Sequence, residues 1–131
     1  MHPLQAMSDG FSQERQTQRA ESQLTLGKLT TLLKLLNPDR FIIGLGFPMS
    51  YRGYYGDLAF NETLTMELIT DLLTRIQNDC MGKVFEGYKG GEYVMGENTP
   101  IWTATYGCLG KKIIGLDSSQ EPIKPILKED D

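Results

Sequence analysis

Two segments of the chain, LTLGKLTTLLKLLN from Leu24 and LTMELITDLLTRIQ from Leu64, set the strongest limit on what it can fold into. Each repeats leucine, isoleucine or methionine at intervals of three and four residues, which gathers the apolar side chains on one face of an α-helix. Such a face has to be buried, and two of them call for a shared layer to pack against. Set forty residues apart, Leu26 aligns with Met66, Leu29 with Ile69, Leu32 with Leu72, Leu33 with Leu73 and Leu36 with Ile76. Thr25 and Thr65 stand where N-caps belong, and Leu24/Leu29 and Leu64/Ile69 have the spacing of a hydrophobic staple. Helices are predicted over residues 24–37 and 64–77, with Leu29, Leu33, Leu36, Ile69, Leu73 and Ile76 in the core. Two explanations of the match stay open: an internal helix-hairpin duplication forming a pseudo-repeat, or the ordinary likeness of leucine-rich amphipathic helices.

Asn37, Pro38 and Asp39 end the first helix, since proline cannot extend it and the flanking side chains favour turns. RFIIGLGF (residues 40–47) then reads as a strand, PMSYRG as a turn and YYGDLAF (54–60) as the returning strand. After the second helix, KVFEG leads through YKGG to EYVM, and further strands are predicted at 101–106 and 112–116. Alternation in 101–106 sets Trp102, Ala104 and Tyr106 on one face and Ile101, Thr103 and Thr105 on the other, with Trp102 as a core residue. The fold class is therefore α+β, two amphipathic helices packed on a mainly antiparallel sheet. One domain occupies residues 24–117. Residues 1–23 form a polar N-terminal extension, with 12–23 a helix that exists only when paired, and residues 118–131, which mix two prolines with charge, form a flexible acidic tail.

Tyrosine, a cation and glycine follow one another twice, as Tyr51, Arg52, Gly53 and as Tyr88, Lys89, Gly90, each at or beside a hairpin turn. A cation attracts phosphate, a tyrosine ring stacks on a base, and glycine lets backbone amides approach a ligand closely. Nearby carboxylates such as Asp57 and Glu92 can accept hydrogen bonds from ribose hydroxyls or a base edge. The same residues also build ordinary packed hairpin corners, with the carboxylates paired to Arg52 and Lys89 at the surface. The candidate ligand-binding set is Tyr51, Arg52, Gly53, Tyr54, Asp57, Tyr88, Lys89, Gly90, Gly91 and Glu92, and the ligand expected is small, anionic and nucleotide-like.

A net charge of −4 speaks against duplex nucleic acid as a partner, because that binding draws on clustered Lys and Arg. No apolar run reaches the length of a membrane span, and the N-terminal residues lack the apolar block of a signal peptide, so a cytoplasmic protein without a membrane partner is expected. The one histidine is His2, which takes away the commonest general base and most zinc arrangements; no metal and no cofactor are expected. Cys80 and Cys108 fit no metal or redox spacing and are read as packed thiols. Neither a phosphate-binding Gly-x-x-x-x-Gly-Lys loop nor a His-Glu-x-x-His helix nor a Gly-x-Ser-x-Gly elbow occurs.

SYRGYYGDLAF, then a helix, then GYKGGEYVM and TPIWTATYG: this order resembles a family of small accessory proteins of tailed bacteriophages that carry Ser-x-Arg-Gly-x-Tyr and Gly-Tyr-Lys-Gly-Gly-Glu. The resemblance covers residues 24–115. It brings no catalytic residues, and it implies action in the bacterial host cytoplasm, commonly against host defence. Together with the turns, it leads to an expected function: capture, without catalysis, of a nucleotide-derived immune signal of the cyclic oligonucleotide or cyclic ADP-ribose type. Two alternatives stand behind it, an inhibitor that binds a host defence protein and a small phosphodiesterase or lyase using Tyr, Lys and Glu. One subunit with two small turns offers little concave surface, so a homo-oligomer is expected.

Overall fold

Thr25 starts the first helix as its sequence position predicts. Its hydroxyl accepts a hydrogen bond from the Lys28 amide at 3.2 Å, and α1 (Leu26–Lys34) buries Leu26, Leu29 and Leu33. The amides of Leu26 and Gly27, which a helix cannot satisfy internally, donate to the carbonyls of Thr99 and Glu97 at 2.8 and 2.9 Å. The structure, a computed structural model, describes residues 23–130. The expectations for residues 1–22, including most of the paired helical extension, lie outside the described residues. Gln23, assigned to that extension, is instead buried, and its side-chain amide donates to the Ile101 carbonyl at 2.9 Å.

The second helix differs from its prediction. α2 (Ile69–Asp79) has Leu68 at its N-cap position with no side-chain cap bond. Its first amides, those of Ile69 and Thr70, donate to the carbonyls of Arg40 and Pro38 at 3.0 and 3.2 Å, so the turn that ends α1 caps α2. Thr65 is left in a loop and Leu64 is 91% exposed, so the predicted staple is absent. α2 buries Ile69, Leu72 and Ile76, which correspond to Leu26, Leu29 and Leu33 of α1, three residues out of step with the sequence alignment. Leu36 and Leu73 are only partly buried against the core, and Met66 is largely exposed.

The strands are β1 (Phe41–Ile42), β2 (Pro48–Ser50), β3 (Leu58–Asn61), β4 (Glu67–Leu68), β5 (Val84–Glu86), β6 (Glu92–Val94), β7 (Ile101–Ala104), β8 (Lys111–Asp117) and β9 (Lys124–Lys128). Five form one sheet in the order β2-β3-β7-β8-β9, while β1-β4 and β5-β6 are separate antiparallel pairs. The long strand predicted over 40–47 contracts to β1, which pairs with β4 rather than with the following segment. Part of the predicted turn becomes β2, and the hairpin closes through residues 51–57. The large sheet is mixed: β3 and β7 run parallel, with Leu58 opposite Ile101 and Phe60 opposite Thr103, and α2 lies in the crossover between them. The two halves therefore differ both in helix phase and in how their hairpins join the sheet.

The pleat divides the interior in two. Leu58, Phe60 and Ile101 face the helices and join Leu26, Leu29, Leu33, Ile69, Leu72 and Ile76 in the main core. Ala59, Trp102 and Ala104 face the other way and pack with Tyr51. All four β7 residues are buried, so this strand is covered on both faces.

Residues 118–130 do not form a separate tail. β9 pairs with β8 from Lys124 opposite Asp117 to Lys128 opposite Lys112, and Ile123 is fully buried. Ile123 also exchanges backbone hydrogen bonds with Phe41 and Ile43 at 2.8 and 3.0 Å, and the Glu121 carboxylate accepts from the Phe41 amide at 2.9 Å. The prolines that suggested disorder are compatible with an edge strand, where one missing N–H breaks no inner ladder bond.

Candidate functional site

The 51–57 turn is anchored by its own first and last residues. The Tyr51 amide donates to the Asp57 carbonyl at 2.9 Å, the Asp57 amide to the Tyr54 carbonyl at 2.8 Å, and the Ser50 hydroxyl to the Tyr55 carbonyl at 2.6 Å. The Tyr51 side chain then turns inward. It is 2% exposed, its ring stacks on Trp102 with centroids 4.1 Å apart and planes 11° apart, and its hydroxyl accepts from the Gly110 amide at 2.9 Å. Burial pushes the Tyr51 phenol above its ordinary range. Asp57 is also buried and accepts from the Trp102 indole N–H at 2.9 Å.

Two of the residues predicted to meet a ligand are therefore the foundation of the turn. A buried indole needs an acceptor and a large flat face needs a packing partner, and Asp57 and Tyr51 supply them. Tyr54 stacks at the edge of the same group, 5.9 Å from Trp102. Gly53 belongs to this packing as well: a Cβ there would stand 2.7 Å from the Tyr51 ring, so glycine is required by the tyrosine beneath it.

Arg52 points away from that foundation and reaches the second turn. Its guanidinium lies over the Tyr88 ring, 4.6 Å from the centroid, and donates to the Gly107 carbonyl. The second turn is closed by the Gly87 amide donating to Gly91 and the Gly90 amide to Gly87, both at 2.9 Å. Gly90 and Gly91 have φ of 96° and 87°, a left-handed backbone that other residues adopt at a cost. Arg52 thus ties together the 51–57 turn, the 87–91 turn and the loop after β7. Such a cation–ring contact contributes on the order of 0.5–1 kcal/mol at an exposed position.

Between these loops lies a cleft of about 320 Å³, lined by Met49 and Ser50 from β2, Arg52, the run Glu86, Gly87 and Tyr88, and Tyr106 with Gly107. The predicted residues Arg52 and Tyr88 meet in it. Lys89, Gly90 and Gly91 belong to the second turn and Glu92 begins β6, and none of the four lines the cleft. Among the described residues, the ion pairs join Arg40 to Glu121, Arg75 to Glu67, Lys111 to Glu129 and Lys112 to Asp130. Arg52, Glu86, Lys89 and Glu92 take part in none of them.

Glu86, Tyr106 and Gly107 are cleft residues that sequence reasoning did not select. Tyr106 carried a signal: it continues the Trp102–Ala104 face one step past the strand end, where the sheet no longer covers it, and it is 68% exposed. The two cysteines also separate. Cys80 is buried and its thiol is pushed up to about 11, mainly by desolvation. Cys108 is exposed in the loop that carries Tyr106, which corrects its reading as a packed thiol. No helix among the described residues is long and apolar enough to cross a membrane, and among those residues no group of three or more His, Cys, Asp or Glu side chains is placed to hold a metal ion. Comparison with protein-family models, with curated proteins and with solved structures finds no match to this chain.

Proposed function

We propose that the chain is a binding protein that captures an anionic, nucleotide-derived signal in the cleft between the two turns and returns it chemically unchanged. The observation that carries the reading is the placement of Arg52 over Tyr88 in one cleft, with no carboxylate paired to the guanidinium among the described residues. Arginine presents five donors, and the Gly107 carbonyl engages one side-chain nitrogen, so donors remain for phosphate oxygens. Tyr88 and Tyr106 offer ring surface for a base, being about half and two-thirds exposed. The resemblance to phage accessory proteins supplies the setting: the signal would be a cyclic oligonucleotide or cyclic ADP-ribose compound of the bacterial defence response.

The test is calorimetry with cyclic dinucleotides and cyclic ADP-ribose isomers. Arg52→Ala is expected to weaken binding by about 1.5–3 kcal/mol, roughly 10- to 150-fold, while the protein stays folded with a melting temperature lowered by the loss of the Tyr88 and Gly107 contacts. Lys89→Ala, outside the cleft, is expected to change affinity less than about threefold, an exposed charge contributing about 0.5 kcal/mol or less. Absence of binding to every nucleotide would return the second turn to a structural role and favour a protein-directed inhibitor, sought by pull-down of a host enzyme. Recovery of an altered ligand would make the protein an enzyme.

A further inference from the structure

Glu86 and Arg52 line the same cleft, yet no ion pair joins them among the described residues. Glu86 also stands directly across from Glu92 in the β5–β6 register. Like charges in a cross-strand pair oppose each other, and neither carboxylate has a cationic partner among the described residues to offset this. Glu86 thus stands in the cleft lining with Arg52, Tyr88 and Tyr106 as an exposed acceptor whose charge no ion pair among the described residues takes up.

The chemistry of the cleft selects among bases. A carboxylate only accepts hydrogen bonds. Guanine presents two adjacent donors on its Watson–Crick edge, N1–H and the N2 amino group. Adenine offers no such pair of donors: beside its N6 group, N1 carries a lone pair that a carboxylate repels in cyclic di-AMP and is bonded to ribose in cyclic ADP-ribose. A volume of about 320 Å³ is at the small end for ligand pockets, enough for one nucleotide unit. We propose that Glu86 reads the Watson–Crick edge of a guanine lying against the tyrosine rings while Arg52 holds its phosphate, so that the ligand is a guanine-bearing cyclic nucleotide. This rests on the nucleotide reading given above and narrows it, setting aside the adenine-based cyclic ADP-ribose class.

Calorimetry of the parent, Glu86→Gln and Glu92→Gln with cyclic di-GMP, cyclic di-IMP, cyclic di-AMP and cyclic ADP-ribose tests it. The parent is expected to bind cyclic di-GMP about 10-fold or more tightly than cyclic di-AMP, the usual discrimination by a bidentate base contact. Cyclic di-IMP, which lacks the N2 amino group, should fall between them. A glutamine carboxamide offers one acceptor and one donor and matches adenine, so Glu86→Gln should abolish or invert the preference. Glu92→Gln, which removes the like-charge pair without entering the cleft, should keep it. Both positions are exposed, and parent-like melting curves will show that both variants fold. A parent that binds cyclic di-AMP or cyclic ADP-ribose as tightly as cyclic di-GMP, or a Glu86→Gln variant that keeps the parent's preference, overturns the guanine assignment while the nucleotide reading stands. A parent that binds none of the four overturns both.

Discussion

Trp102 is held from two sides, by the Asp57 carboxylate at its N–H and by the Tyr51 ring on its face. Asp57→Ala should strand a buried indole donor at a cost of about 1–3 kcal/mol, seen as a lower urea midpoint. Asp57→Asn keeps an oxygen acceptor and should cost less. A midpoint unchanged by Asp57→Ala would mean that the bond adds nothing to stability. At this scale the sequence was partly legible. Trp102 was read as an interior residue from the burial tendency of tryptophan, and alternation along residues 101–106 gave only its face, because a strand has a strict two-residue period. A turn has no such period, so nothing in YRGYYGD distinguished the tyrosine that faces inward, Tyr51, from those nearer the surface. Nor did it show that Asp57 would be buried as an acceptor for the indole.

Caps read alike in the two helical segments, but only the first operates. Thr25→Ala should destabilise the fold by about 1 kcal/mol through loss of the cap to Lys28. Thr65→Ala should change stability by no more than about 0.5 kcal/mol, since it lies in an exposed loop that caps nothing. Thermal melts of the two variants decide the matter, and equal losses would restore the longer second helix. α1 was readable because its N-terminus is local chemistry. The start of α2 was not, because the groups that satisfy its first amides, the carbonyls of Pro38 and Arg40, come from the turn after α1. The β5–β6 hairpin was legible from YKGG between short apolar runs. β2 was hidden because its three residues include a proline and were assigned to the turn.

Assembly belongs to the whole molecule. A cleft of about 320 Å³ is small for an entire cyclic dinucleotide, so the proposed ligand would need surface from a second copy. Light scattering should give about twice the 14.7 kDa of one chain at micromolar concentration or in the presence of ligand. A monomer mass in both conditions would place the whole ligand on one subunit. At the same scale, β9 was the feature least legible in the sequence, because it pairs with β8, the Ile123 just before it is held by Phe41 and Ile43, and prolines conceal the apolar residues of this stretch. The central parallel pair, β3 with β7, makes the sheet slow to assemble. Between those strands come β4, α2 and the β5–β6 hairpin, and the freedom of that whole segment has to be given up before Leu58 can meet Ile101. Helices and hairpins form within about microseconds, whereas folds dominated by distant pairings take about milliseconds to seconds. Throughout that interval the residues of β7, later covered on both faces, lie open to neighbouring chains, so crowding of the refolding mixture will lower the yield of native protein even where the finished fold is stable.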